Sequence, residues 1–421
     1  MTDYIRRHID ATLDDLMTGL PALMLTGPRG CGKTTTAEAR AATTLHLDDS
    51  DQAAVFRADP DTILLASRCP ALIDEWQQVP ESLAAVKRVV DHRHDAGQFL
   101  ITGSVRSRQL KGNWPGTGRI VPIRLWGLTQ AELSGRPDVT LEWLWAPDLV
   151  RPGVHDGTPT VLDYAEAALA GGFPDAHRLL PSHRAAWYGG YVDYLVHRDV
   201  APLADIRTPL SLARLLTAVA INSAGMPAVA TLAEAAGVDQ RTAASYLDTL
   251  EDMRVIQRAQ PWFRNKLSQM VKTPKYYITD SGLAAHLLHA DSAVIQRSGD
   301  ILGRLLDTFV AAQIRPLLDL ASPRIELCHL RDAGGRHEVD LVLDGAGLGI
   351  VGIEVKASAG VSAADARHLA WLRDQVADEF AAGYVLHTGR FTFSLGERLW
   401  AVPIAALWQP ELALAHQECC V

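Results

Sequence analysis

Leu23-Met24-Leu25-Thr26 runs into Gly27-Pro28-Arg29-Gly30-Cys31-Gly32-Lys33-Thr34, and Thr35-Thr36-Ala37-Glu38-Ala39-Arg40-Ala41-Ala42 follows. The first stretch is short and apolar, which predicts a strand, and the third predicts a helix. The octapeptide between them has the form GxxxxGK[ST]. Glycines there let backbone N–H groups turn inward around phosphate oxygens, and the positive end of the next helix faces the same anion. Lys33 is placed to reach the β- and γ-phosphates, and Thr34 to offer its hydroxyl to Mg²⁺. We read Gly27, Pro28, Arg29, Gly30, Cys31, Gly32, Lys33, Thr34 and Thr35 as an ATP site, with ATP and Mg²⁺ as cofactors. Cys31 takes a free position of the loop and reads as a small space-filler.

Working outward, Thr44–Leu47, Pro70–Glu75 and Gln98–Thr102 predict further strands, with a helix near Ser82–Asp91 and another over residues 4–19. Strands alternating with helices predict an α/β fold with a parallel sheet. Leu72-Ile73-Asp74-Glu75 puts two carboxylates at a strand end. Asp74 is expected to hold Mg²⁺ through water and Glu75 to polarise the attacking water. Thr102 or Ser104, ending the neighbouring strand, is a candidate γ-phosphate sensor. Arg106, Arg108 and Arg119 are candidates for stabilising transition-state charge, in cis or in trans, Arg119 foremost.

The chain has 421 residues, 48% hydrophobic and 21% charged, with 40 basic and 49 acidic side chains and a net charge of −9. That length predicts two to four globular domains. The acidic balance excludes a protein coated in basic charge but leaves room for a local basic face. Seven of the basic residues are lysines, so each lysine invites a question. The five cysteines contain no CxxC pair, which argues against a disulfide framework or structural zinc. No signal-peptide core and no 18-residue apolar run is present, so a cytoplasmic protein without a membrane partner is expected.

Three units are predicted: residues 1–150, 161–290 and 300–415, with a loop at 151–160. In the second, Ala230–Gly237 and Arg241–Met253 read as a helix-turn-helix, followed by a hairpin from Val255, the pattern of a winged helix at about 205–280. From Arg254 to Lys275 there are six basic residues and no acidic one, with Trp262, Phe263, Tyr276 and Tyr277 among or beside them. Arg241, Arg264, Lys266 and Lys272 are candidate DNA contacts. Against this, the second helix carries Asp248, Glu251 and Asp252. In the third unit, Glu338-Val339-Asp340 and Glu354-Val355-Lys356 alternate as strands do, so two adjacent strands would gather Asp340, Glu354 and Lys356. Carboxylates so placed can bind Mg²⁺ and activate water toward a phosphodiester, with Lys356 positioning the nucleophile.

The chain resembles a prokaryotic family in which an AAA-type P-loop domain (AAA_14) is joined to a DUF4143 domain. The marks are Gly27–Thr34, Leu72–Gln77, Phe99–Ser104, Gly171-Gly172-Phe173-Pro174, Arg198–Val200, Lys275–Leu283, Gly303–Val310, Glu338–Asp340 and Ile353–Lys356. The resemblance implies ATP binding and hydrolysis, a winged helix, and a C-terminal α/β domain of the PD-(D/E)XK nuclease-like type. It also adds Asp307 to the nuclease-like residues, where relatives carry Glu, while Gln313 stands where Glu is common. Gly171–Pro174 and Arg198–Val200 read as packing motifs. The expectation is an Mg-dependent ATPase whose turnover drives or regulates a winged-helix and nuclease-like module. The alternatives are an ATP-regulated DNA endonuclease and a non-hydrolysing DNA-binding switch. Expected partners are ATP, DNA, and a second copy of the chain or another protein.

Overall fold

The computed structural model describes residues 4–103, 117–200, 209–262, 273–332 and 335–414. They form two compact units. Among the described residues, one comprises those up to Leu128 with the short segments Phe173–Asp175 and Asp252–Arg254; the other comprises those within Thr129–Gly172, Ala176–Glu251 and from Val255 to 414.

The first unit is built on β1 (Ala22–Thr26), β2 (Thr43–His46), β3 (Ala71–Asp74), β4 (Phe99–Thr102) and β5 (Ile120–Arg124), in the order β2-β3-β4-β1-β5. All four pairings are parallel. Strands covered on both faces need continuous apolar runs, and β3 and β4 are buried along their whole length. Ile73, Trp76, Leu83, Val86, Phe99 and Ile101 share one core with Phe56 and Leu64. The last two come from the helices Ser50–Ala58 and Pro60–Ala66. These helices were not read from sequence, although Asp49 and Asp59 cap them through backbone N–H groups. Because the sheet is parallel, the segments leaving β1, β3 and β4 emerge at one edge, where ligands of open α/β sheets bind.

In the second unit one sheet has nine strands, in the order β6-β13-β14-β12-β11-β10-β9-β7-β8. They are β6 (Gly153–Val154), β7 (Ile256–Pro261), β8 (Lys275–Ile278), β9 (Ile325–Arg331), β10 (Glu338–Gly345), β11 (Gly349–Lys356), β12 (Phe380–His387), β13 (Phe391–Gly396) and β14 (Leu399–Pro403). The packing groups the residues differently from the expected units. The segment from Thr129 belongs here rather than with the first unit. Gly153–Val154, read as linker, pairs with β13. The β7–β8 hairpin, assigned to a separate middle domain, joins the C-terminal sheet through β7 and β9. Trp262 at its end lies in the core formed by Val339, Val342, Leu369, Leu372 and Phe380.

The expected pair of helices is present as Val229–Ala236 and Gln240–Asp252, with Gly237 left-handed at the turn. The Gly171–Pro174 motif is tied to the Lys275–Leu283 segment. Asp280 caps the Ser281–Leu287 helix at Leu283 N (2.7 Å) and accepts from Gly172 N (2.6 Å) and Tyr188 Oη (2.8 Å).

Candidate nucleotide site and acidic cluster

The Gly27–Thr34 loop sits between the end of β1 and the Lys33–Glu38 helix. Its glycines have definite work. A Cβ on Gly27 would lie 2.0 Å from the Leu125 carbonyl oxygen, and Gly32 has φ +96°. The loop is fastened from outside by a residue the sequence did not suggest: Arg7 donates from Nη1 to the Cys31 carbonyl (3.0 Å) and from Nη2 to the Trp126 carbonyl (2.6 Å). Cys31 is buried, its thiol 3.6 Å from the Leu125 carbonyl oxygen, in keeping with a space-filler. Arg29, Gly30 and Thr35 are exposed and Pro28 is buried. Pro174 Cγ would lie 3.7 Å from a Cβ on Gly32, so part of a motif read as packing abuts the loop.

Lys33 curls back, its Nζ donating to the carbonyls of Gly27 (3.1 Å) and Pro28 (2.9 Å). Thr34 Oγ1 donates to Asp74 Oδ1 at 3.0 Å, and Thr102 Oγ1 donates to the same oxygen. The three residues come from the segments that follow or end β1, β3 and β4, as the parallel order requires. Glu75 has φ +52°, a left-handed conformation uncommon outside glycine. Burial raises its pKa above the ordinary carboxylate value, and the Asp74 charge adds to this; the Gln77 amide, which donates to Glu75 Oε2, opposes it. A second residue missed in the sequence is His46. It pairs in register with Asp74, and its Nδ1 lies 3.4 Å from Asp74 Oδ2.

A magnesium nucleotide fits these residues, since a hydroxyl and a carboxylate already meet beside a loop that only glycine can follow. Thr34 and Asp74 would hold the ion. Arg119 is a correction. It precedes β5, at the opposite sheet edge from the loop, and pairs with Asp91 at 2.7 Å. It contributes nothing to its own chain's phosphate site. Ser104, Arg106 and Arg108 lie outside the described residues.

The basic stretch also needs correcting. Arg254 lies over the Trp126 ring, and Arg258 pairs with Asp248 (2.8 Å) and Glu251 (3.4 Å). Lys275 is only 1% exposed. Trp262, Tyr276 and Tyr277 are buried, so they form core rather than a stacking surface. Arg264, Lys266, Lys272 and Phe263 lie outside the described residues. Arg241 is exposed, on a helix whose start is capped by Asp239.

The C-terminal strands gather the expected residues. β10 and β11 pair antiparallel with Leu341 opposite Ile353, which sets Asp340 beside Glu354 and Lys356. Asp307 arrives from the Gly299–Leu320 helix. Lys275, which sequence reading assigned to an exposed basic run, enters the cluster from β8. Its Nζ lies 2.8 Å from Asp307 Oδ2 and 3.2 Å from Asp340 Oδ1. Burial pushes the Glu354 carboxyl up to about 8, aided by the Asp340 charge and opposed by Lys356, whose Nζ is 2.9 Å away. Burial also works against charge on Asp340, but Lys275, the Val355 amide and Lys356 outweigh it and hold Asp340 below the usual range. Gln313 is used elsewhere, accepting from Gln130 N at 2.7 Å. Among the described residues no group of three or more His, Cys, Asp or Glu side chains is arranged to hold a metal ion.

Comparison with known proteins assigns the segments. Residues 20–134 match the family model described as an AAA domain. Residues 302–407 match a domain of unknown function, DUF4143, and residues 161–293 match another, DUF8612. The segment that carries the loop is therefore similar to AAA-type ATPase domains. Two mycobacterial proteins are similar along most of their length: "Uncharacterized protein Rv2008c" of Mycobacterium tuberculosis and "Uncharacterized protein Mb2031c" of Mycobacterium bovis. Each is 29% identical over 94% of this chain and 83% of its own. Among solved structures, the Walker-type ATPase PABY2304 of Pyrococcus abyssi aligns over 68% of this chain and 96% of its own, with 13% identity and a TM-score of 0.41. Among the described residues no helix is long and apolar enough to cross a membrane.

Proposed function

We propose that the protein binds and hydrolyses ATP at the Gly27–Thr34 loop. One observation carries the reading: Thr34 of the loop and Thr102 of β4 converge on a single Asp74 oxygen, with Glu75 next in sequence. The loop amides cradle the phosphates, and Lys33 exchanges its two carbonyl partners for phosphate oxygens. Thr34 and Asp74 would hold Mg²⁺, which would supply charge neutralisation at the phosphates. Glu75, its basicity raised by burial, accepts the proton of the attacking water. Thr102 orients Asp74, and His46 flanks that carboxylate from the other side. The test is ATP turnover by the purified chain, with and without DNA. Glu75→Gln should keep nucleotide binding and lose turnover; retained turnover would place the base elsewhere.

The helix pair with the β7–β8 hairpin is read as a winged-helix module used for packing within the second unit. The internal partners of Arg258 and Lys275 support packing over DNA contact. The C-terminal domain is read as nuclease-like in its strand-and-carboxylate frame. Plasmid nicking with Mn²⁺ tests cleavage by this frame, and light scattering with nucleotide tests self-association.

A further inference from the structure

The C-terminal cluster contains three carboxylates, of Asp307, Asp340 and Glu354, and five of their six oxygens are already engaged. Asp307 Oδ2 and Asp340 Oδ1 share the Lys275 ammonium. Asp307 Oδ1 accepts from Tyr277 Oη at 3.1 Å, and Asp340 Oδ2 from Val355 N at 3.1 Å. Glu354 Oε2 accepts from Lys356. Only Glu354 Oε1 lacks a partner among the described residues. A magnesium-like ion needs about six oxygen ligands, with one or two carboxylates free to approach it. An ion bridging Asp307 and Asp340 would occupy the place where Lys275 Nζ stands. Ion and ammonium would repel each other in a buried setting where charge is poorly screened.

We propose that Lys275 is the resident cation of this cluster: the domain keeps the frame of a metal-dependent site but fills it with its own ammonium. The residues therefore do not fit a divalent metal between Asp307 and Asp340. The ammonium instead ties β8 of the hairpin to the Gly299–Leu320 helix and to β10. Its burial supports this, because a buried lysine keeps its charge only where carboxylates surround it. Here Asp307 and Asp340 overcome the cost of burial and hold the Lys275 pKa well above its ordinary value.

The test is Mn²⁺ binding followed by electron paramagnetic resonance, using the full chain carrying Asp74→Asn to silence the phosphate-loop ion. That background separates this inference from the ATPase reading. With Lys275 intact, no saturable Mn²⁺ should bind at a position sensitive to Asp340→Asn. Lys275→Met, which vacates the position without changing its bulk, should bind one equivalent about tenfold or more tighter, and Asp340→Asn should abolish that binding. Should Lys275→Met fail to fold, adding Asp307→Asn should restore the wild-type circular dichroism by rebalancing the charge. Three results would overturn the proposal. One is saturable Mn²⁺ binding by the Lys275 chain that Asp340→Asn removes. Another is a folded Lys275→Met that gains no Mn²⁺. The last is an unfolded Lys275→Met that Asp307→Asn does not rescue.

Discussion

Glu354→Gln is the perturbation whose outcome follows most directly from the geometry. The wild-type carboxyl is buried beside Asp340 and titrates at about 8 in the folded chain, against an ordinary value of 4.5. Between those two pH values the folded state holds a proton that the unfolded state has released. Stability therefore falls as pH rises through this window; below pH 4.5 the penalty is absent, and above pH 8 it is fully developed. At about 1.4 kcal/mol per pH unit, the whole window corresponds to about 5 kcal/mol. Glutamine keeps the shape, accepts from Lys356 and carries no proton to lose. The variant should gain on wild type by about 1 kcal/mol per pH unit between roughly pH 5 and 8, and run parallel to it outside that window. Urea unfolding at fixed pH values, read as the difference between the two proteins, checks this. Groups that titrate in both cancel in that difference. Parallel stability profiles from pH 5 to 8 would refute the burial argument.

Three further outcomes are expected. Gly27→Ala places a methyl 2.0 Å from the Leu125 carbonyl oxygen and should abolish nucleotide binding, measured with a fluorescent ATP analogue, while the second unit unfolds as before. Glu75→Gln should lower ATP turnover by about 10²–10⁴-fold with affinity retained, the range for loss of a general base. Lys275→Met strands Asp307 and Asp340 together in the interior and should destabilise the second unit by about 3–5 kcal/mol; combined with Asp307→Asn the loss should be clearly less than additive, as a double-mutant cycle in urea would show.

The first unit was legible because its chemistry is local. Loop, flanking strand and helix are contiguous, and Asp74 and Glu75 end a run that is apolar throughout. Parallel order then does the rest, since any carboxylate ending β3 must face a loop leaving β1 two strands away. Arg7 and His46 were not legible. Each acts on a residue far along the chain, and neither sits in a pattern that separates it from a surface side chain. As a residue of its own chain's site Arg119 was misread, because its position beside a strand carried no statement of which end of the strand it occupied.

Lys275 exposes the deeper limit. Six basic residues without an acidic neighbour read as a surface, because local composition is the only field a sequence displays. Yet the acids that answer Lys275 lie 32 and 65 positions away, on a helix and a strand of the same unit. What brings them together is β7 pairing with β9, which adds the hairpin to a sheet already holding β10. Once the hairpin is a sheet edge rather than a free wing, all four side chains of β8 are buried. A lysine among them must find carboxylates or lose its charge. Asp340 accordingly has two roles to choose between, metal ligand or counterion, and the arrival of Lys275 from β8 selects the second.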